Sequence, residues 1–513
     1  MPPMSLGDIN VASHDFFNSI DLFYVHFHPQ LPFLPGKRAL LQDSLNCALL
    51  AWALFTVAAR VSPDPNLNSI RVRLTWPVRR LASQSILAPR SLPAIQALLI
   101  LCLWPMPYAA LIDDPSWVFS GMAIQKALQL GMYRPLESLI DYAKGDHRVA
   151  RSMQDTWLAC LVVGQMQSTR HGIPSTIPLE HMDPQLQLSQ GATVPSQMLR
   201  AAVELARKDM VISSLLSHRD GAGMPPDRPP ALRALGIELE HLDAKIQQCQ
   251  SPLLQRMLCS TKIRLYSFAL RAEHDAPATG IGGKEDLIIY ISKAYAVARH
   301  IIINSLEDQV GKWSFIDLQS FIMALFIVLH ISRRHHSVCN VQQVLEMFQR
   351  ASALLKSCSV IDGDHFYRVC EIINYLLAQP PAGSESSDQP VESEAMATTI
   401  QPAAGIGVAY DIIKEAKKRY RRSVWFPEEF PDLSSSAAVE LETGSSSAGV
   451  GAGDWIQEDP LMQSMFAPDL NIASWLGPKR VRTRKEKPFG LSEMASDTWR
   501  QRFTPTTKQK TTL

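Results

Sequence analysis

No Cys-x-x-Cys pair occurs anywhere in the 513 residues. The eight cysteines, Cys47, Cys102, Cys160, Cys249, Cys259, Cys339, Cys358 and Cys370, are scattered among mostly apolar neighbours. That spacing excludes a paired-cysteine zinc site and a disulfide framework within this sequence, and suits buried thiols in a reducing compartment. Charge is scarce and balanced. Charged residues make up 19%, with 50 basic against 49 acidic side chains and a net charge of +1, so no global field draws the chain to nucleic acid or membrane. Clean apolar runs of membrane-spanning length are also missing. Residues 95–112 are broken by Pro105 and Pro107 and ended by Asp113 and Asp114, and residues 315–331 contain Asp317, Gln319 and Ser320. Both are expected to be buried helices rather than spans, which need about 20 apolar residues. The first fifteen residues, MPPMSLGDINVASHD, lack the basic start and apolar core of a secretory signal.

Catalytic patterns are missing too. There is no Gly-rich phosphate loop and no nucleophile–base spacing. The acid pair Asp113–Asp114 reads as a helix start, and Glu428–Glu429 lies in a polar tail. His26 and His28 form an H-x-H pair with no third ligand nearby, which predicts a structural role. An enzyme is therefore not expected, and neither is a metal or a cofactor.

What is present is helical periodicity. Ala94–Arg134 reads as two helices joined by a proline-broken turn. Ser91 caps the first, with Pro93 in its opening turn, and Ile95, Leu98, Leu99 and Cys102 share one stripe. Asp114 fits the N-cap of the second helix, Pro115 its first position and Gly131 the residue just past its end. Val118, Met122, Ile124, Leu128 and Leu130 give it a broad apolar face. Gly121, Ala123 and Ala127 are small, and Gly121 is expected at a close helix–helix contact. Further helices are expected at 15–28, 44–60, 70–87, 145–167, 196–218, 231–250, 252–274, 284–304, 313–330, 341–357 and 364–379. Arg71, Arg73, Arg79 and Arg80 are expected on a solvated face. No segment keeps the two-residue alternation of a strand. The fold class is all-α: a large helical bundle or array over 15–380, with a subdivision near 221–230, behind a flexible terminus at 1–14.

After Pro380 the composition changes. Residues 381–408 are rich in Ser, Pro, Gly, Ala and Glu and read as disordered linker. Residues 409–425 read as a basic helix, with Lys417, Lys418, Arg419, Arg421 and Arg422. Residues 426–477 contain no Lys or Arg, and in Asp454–Leu476 acids alternate with Trp455, Leu461, Phe466 and Trp475. That pattern suits an activation region, in which acids keep aromatic anchors solvated until they fold into a coactivator groove. The basic tail 478–513 opens with Lys479, Arg480, Arg482, Arg484, Lys485 and Lys487, which suit a nuclear import signal.

The run DDPSWVFSGMAIQKALQLGMYRP, residues 113–135, resembles the signature of the fungal-specific transcription factor regulatory domain, the middle homology region of zinc-cluster activators. The matching residues are Trp117, Gly121, Met122, Ala123, Ile124, Ala127, Leu130, Gly131 and Arg134. LFYVHFHPQLPFLP (22–35) resembles the segment that opens that domain, and ALLAWALFTVAAR (48–60) the helix after it. DTWLACLVVGQMQSTRHGIPSTI (155–177) resembles its Trp helix and Ser-x-x-x-Gly-x-Pro turn, through Trp157, Gly172 and Pro174. The resemblance implies a nuclear transcription regulator acting on RNA polymerase II genes, with coactivators as partners. It allows a homodimer and a small-molecule effector in addition. Zinc belongs to the six-cysteine cluster of such proteins, which these 513 residues lack. Sequence-specific DNA binding is therefore expected only where a cluster is restored or a partner supplies one. The alternative is a helical interaction scaffold without DNA binding of its own.

Overall fold

Three helices of the computed structural model are apolar almost all round, which predicts burial on every side, and the second half of a fourth is buried with them. The three are α3 (Ala48–Ala58), α5 (Leu92–Leu103) and α13 (Phe315–Arg334), and the fourth is α8 (His147–His171). Leu49–Ala58 and Ala94–Leu103 are buried without exception, as is Thr156–Arg170 of α8. Helix α13 is the one described helix long and apolar enough to cross a membrane by length and composition, and it lies mostly inside the protein.

The structure describes residues 4–85, 91–108, 111–173, 175–178, 194–217, 228–249, 251–275, 284–335, 337–360 and 363–378. Among them are 15 α-helices. The remaining helices are amphipathic and cover the four central ones. On the N-terminal side these are α1 (Ser13–His26), α2 (Lys37–Asn46), α4 (Pro65–Gln84), α6 (Ser116–Gln129) and α7 (Leu136–Tyr142). Beyond α8 come α9 (Val194–Ser217), α10 (Arg228–Cys249), α11 (Pro252–Asp275), α12 (Lys284–Glu307), α14 (Val341–Cys358) and α15 (His365–Ala378). Helix α3 packs on α1 and α5, α6 on α5 and α8, and α9 on α8 and α11; α13 lies against α11, α12 and α5. One continuous apolar cluster runs from Ile9 to Ile373, so the helices on either side of residues 221–230 share a core. Residues 218–227 themselves lie outside the described residues.

The structure departs from the sequence reading at several points. Residues 4–11, expected to be loose, form an antiparallel hairpin pairing Met4 with Val11 and Leu6 with Ile9 across Gly7, whose φ is 63°. Alternation buries Ile9 and Val11 at 3% exposure each, a two-residue signal too short to see in sequence. The single helix expected over 44–60 is two, broken at Cys47, whose backbone is extended. Asp64 caps α4 by accepting from Asn66 N at 2.9 Å, with Pro65 in its first turn. The arginines of α4 do not share one solvated face. Arg79 Nη2 donates to the Pro107 carbonyl at 3.0 Å and Arg71 is half-buried, while Arg73 pairs with Asp8 on the surface.

Helix α6 also turns differently from its expected face. Val118 and Leu128 are 58% and 38% exposed, and the buried side is Phe119, Ser120, Ala123, Ile124 and Ala127. A Cβ built on Gly121 meets nothing within 4 Å, so the close contact expected there does not exist. The close approach is on the facing helix. A Cβ on Gly164 of α8 falls 2.8 Å from Ile124 Cδ1. Gly121→Ala is therefore expected to stabilise the fold by up to about 1 kcal/mol, through helix propensity alone. Gly164→Val is expected to cost about 1–3 kcal/mol by overpacking against a buried side chain. Urea-unfolding midpoints of the two variants, followed by helical circular dichroism, check the contrast; equal shifts would refute it.

Candidate functional site

Helix α8 begins where Asp146 accepts from Arg148 N at 2.9 Å and Val149 N at 3.3 Å. It ends at Gly172, which takes the left-handed conformation at φ 65° and closes the helix with Ile173 N on the Ser168 carbonyl at 3.0 Å. The last two turns before that cap carry Gln165, Thr169 and Arg170, all buried. Buried polar groups require partners, and these find theirs on two opposite sides.

Arg170 reaches toward the linker between α5 and α6. Its Nη1 donates to Asp114 Oδ2 and its Nη2 to Tyr108 Oη, each at 2.6 Å. Asp114 Oδ1 accepts from Ser116 N at 3.0 Å and from Ser116 Oγ at 2.6 Å. The two ionic side chains are 5% and 1% exposed. The guanidinium carbon lies 5.4 Å from the Tyr108 ring centre and 5.6 Å from that of Phe315 on α13. Burial pushes the Tyr108 phenol up to about 12, although the Arg170 charge opposes it. The Tyr108 carbonyl accepts from His365 N at 3.1 Å, which attaches the start of α15 to the same knot. Beside it, burial first and Arg170 second pull His171 down to about 4, so at neutral pH this ring is uncharged where it meets Trp117, 5.8 Å away.

Thr169 and Gln165 face the other way. Thr169 Oγ1 donates to Asp209 Oδ2 at 2.6 Å and Gln165 Nε2 to the same oxygen at 3.1 Å. Asp209 Oδ1 takes the guanidinium of Arg264 in a direct ion pair, with both side chains at 3% exposure or less. Burial lowers the Arg264 pKa and Asp209 opposes that shift. This second knot joins α8, α9 and α11.

A third polar junction centres on the turn before α13. Ser314 and Asp317 form a reciprocal capping box, and the Asp317 carboxylate also holds Arg256 of α11. The Lys312 carbonyl accepts from Gln30 Nε2 at 2.9 Å and from Trp104 Nε1 at 3.4 Å, and the Trp313 carbonyl from Arg60 Nη2 at 2.9 Å. Gly311 is required there, because a Cβ would lie 2.7 Å from the Arg60 carbonyl oxygen. Beside this turn lies a cleft of about 210 Å³ between Pro29, Leu253, Arg256, Asp308, Lys312 and Trp313.

The signature residues are spread along α6, the turn after it and α8, and only Trp117 packs beside the first knot. Trp117 packs on His171, Trp157 is 1% exposed and Ala123 and Ala127 face the core, while Gly121 and Met122 are half-buried. Gly131 has φ 69°, and the Arg134 side chain folds back over it to sit 6.0 Å from the Tyr133 ring. Gly172 is the α8 cap, and Pro174 lies outside the described residues. So do Trp455, Leu461, Phe466, Trp475 and the basic residues Lys479, Arg480, Arg482, Arg484, Lys485 and Lys487. The His28 ring stacks on Tyr24 at 4.6 Å with Nε2 3.4 Å from the Leu34 carbonyl, a packed structural histidine. No group of three His, Cys, Asp or Glu among the described residues could hold a metal.

The sequence reading missed Arg170, Asp209, Arg264 and Tyr108, and took Asp114 only as a cap. Helix α6 starts at Ser116 with Pro115 at the cap position, and the Asp114 carboxylate serves Ser116 and Arg170 together. The available signal was the polar group Gln165, Gln167, Thr169 and Arg170 directly after the apolar run 157–163 of α8. The two ion pairs Arg170–Asp114 and Asp209–Arg264 are each answered by protein and buried, so they fix helices against one another.

Residues 20–192 match the fungal specific transcription factor domain. The transcriptional regulatory protein SEF1 of Candida albicans is 26% identical over 444 residues, 82% of this chain and 46% of that protein. A SEF1 protein of Kluyveromyces lactis is 26% identical over 306 residues, covering 58% of this chain and 26% of its own. A regulatory protein of Saccharomyces cerevisiae matches at 21% over 295 residues, 52% of this chain and 32% of that protein. The chain thus spans less than half the length of these curated relatives. No solved structure matches. The domain match runs from within α1 to beyond α8, and so contains Asp114, Tyr108 and the end of α8 that holds both ion pairs. In residues 20–192 this chain carries a fungal specific transcription factor domain.

Proposed function

We propose that this chain is the regulatory and activating part of a nuclear transcription regulator that acts on RNA polymerase II genes, and that it is not an enzyme. The observation that carries the reading is the domain match over residues 20–192. Similarity to a transcriptional regulatory protein across 82% of the chain supports it. The helices from α9 to α15 share the core of the matched region, so the whole helical part acts as one regulatory body. DNA is read by a zinc cluster supplied outside these 513 residues, from the same polypeptide or from a partner. Lys479–Lys487 direct nuclear import, and Asp454–Leu476 recruits coactivators through aromatic anchors held in solution by acids.

The chain fused to a foreign DNA-binding domain is expected to activate a reporter. Replacing Trp455, Phe466 and Trp475 together with Ala should remove nearly all of that output, because large aromatic anchors dominate groove binding. Replacing Asp454, Glu458 and Asp469 with their amides should reduce it only in part. Output equal to that of the empty vector would favour an interaction scaffold without transcriptional activity.

A further inference from the structure

We infer that the outer face of α4 is a docking surface for an acidic peptide segment of another protein, with Trp76 as its apolar anchor. Trp76 is 65% exposed. Its neighbours on the helix surface, three and four residues away, are Val72, Arg73, Arg79 and Arg80. An exposed indole is thus ringed by three guanidiniums and a valine. Nothing along the chain offsets them. No Asp or Glu occurs between Asp64 and Asp113, and α4 itself contains four Arg and no Lys. A merely solvated helix face mixes Lys with Glu, whereas Trp and Arg without Lys is the composition of interface centres.

The cations are also short of partners within the protein. Arg73 pairs with Asp8, but both side chains are more than half exposed, so that pair opens at little cost. None of Arg71, Arg79 and Arg80 enters an ion pair among the described residues. On the inner side of Trp76, residues Arg71, Thr75 and Arg79 follow one another at one-turn spacing. Arg71 Nε, Thr75 Oγ1 and Arg79 Nε are buried donors without an acceptor, and Arg60 Nη1 is a fourth. Burial first and the Arg71 charge second pull the Arg60 pKa down to about 9. Burial lowers the Arg79 pKa; Asp114 and Asp113 oppose that fall, and Asp114 is already held by Arg170. This edge of α4 therefore carries more positive charge and more donors than the chain answers. Carboxylates supply what is missing, because they take guanidinium forks two bonds at a time.

The shape of the patch selects a peptide over a nucleic acid. A phosphate backbone needs a continuous track of cations, and a net charge of +1 with an indole protruding from the middle of the patch does not provide one. Arg73 and Arg79 stand about 9 Å apart along the helix axis, and their side chains splay outward from it. In an extended peptide, residues i, i+2 and i+4 share one face and span about 13 Å. Two acids at the ends of that span reach the arginines on either side, while the apolar residue between them lies on Trp76 and Val72. The partner segment therefore reads acid-x-apolar-x-acid. This holds whether or not the chain regulates transcription.

The test titrates the full chain by calorimetry with the peptide Gly-Glu-Ser-Phe-Ser-Glu-Gly. Its Gln-for-Glu and Ala-for-Phe counterparts and a short DNA duplex serve as controls. The acidic peptide is expected to bind with a Kd below about 1 mM, more weakly as salt rises, and each control about tenfold more weakly or worse. Trp76→Ala and Arg80→Gln should each cut the affinity by about fivefold or more. Both positions are exposed, so the circular dichroism of the variants should match that of the parent. Arg148→Gln, which removes an exposed cation of α8, should change nothing. The rival occupants are the chain's own acids and a second copy. Peptide binding that appears only after Asp454, Glu458 and Asp469 are replaced by their amides would assign the surface to the chain itself. A dimer in sedimentation that Trp76→Ala dissociates would assign it to a second copy. Either result overturns the proposal, as does an acidic peptide that fails to bind, a control that matches it, or a folded Trp76→Ala protein that binds as before.

Discussion

Asp209→Ala is expected to be the most damaging single substitution among the described residues. Asp209 is fully buried and accepts from Thr169 and Gln165 while pairing with Arg264. Removing it strands a guanidinium in the core and leaves two buried donors without their acceptor. Breaking one partner of a buried ion pair costs about 3–5 kcal/mol, a large share of the roughly 5–15 kcal/mol that holds a typical domain folded. Arg264→Met strands the carboxylate instead, with Thr169 and Gln165 still donating to it, and should cost somewhat less. The double variant Asp209→Leu with Arg264→Met removes both charges and replaces them with packing. It should recover much of the loss, because desolvating the pair offsets most of its Coulomb attraction. Urea denaturation of the three variants decides the matter. Less than about 1 kcal/mol lost by Asp209→Ala would mean that water reaches the pair.

Arg170→Met is expected to produce a comparable loss of about 3–5 kcal/mol, with a different local signature. It leaves the Asp114 carboxylate, 1% exposed, with only Ser116 for a partner, and the Tyr108 hydroxyl without its donor. Arg170→Lys keeps the charge but not the planar fork that reaches Asp114 and Tyr108 at once, so it should lose about 1–2 kcal/mol. The local signature lies in α15. The Tyr108 backbone receives His365 N, so loosening Tyr108 should speed amide hydrogen exchange in residues 365–378 more than in α10, which does not touch this knot. Uniform acceleration over all helices would show that Arg170 contributes to global stability without tying α15 to the matched domain.

The end of α8 is what makes these two results informative together. Thr169 and Arg170 are adjacent in sequence, yet one holds α9 and α11 and the other holds the α5–α6 linker, α13 and α15. A shift of that helix end disturbs both knots.

Much of this arrangement was legible without coordinates because its causes are local. Ser91 with Pro93 starts α5, and Pro105 with Pro107 marks its end, for reasons of backbone chemistry that operate within a few residues. Gly131 and Gly172 occupy left-handed positions just past helices, as glycine's missing Cβ allows. The all-α class and the burial of α3, α5 and α13 follow from periodicity and composition along a single segment. Pairings across the core have no such local cause. Asp114 and Arg170 are 56 residues apart and Asp209 and Arg264 are 55 apart, and nothing in either neighbourhood names the other. The choice between Gly121 and Gly164 turned on how α6 and α8 rotate about their own axes. That rotation is set by Ile124 filling the space over Gly164, a volume constraint between two helices rather than a preference of either one. The sequence by itself determined the all-α class, most of the helical segments and the family they resemble. Tertiary structure alone decided which buried charges meet, because that depends on the packing of every helix between them.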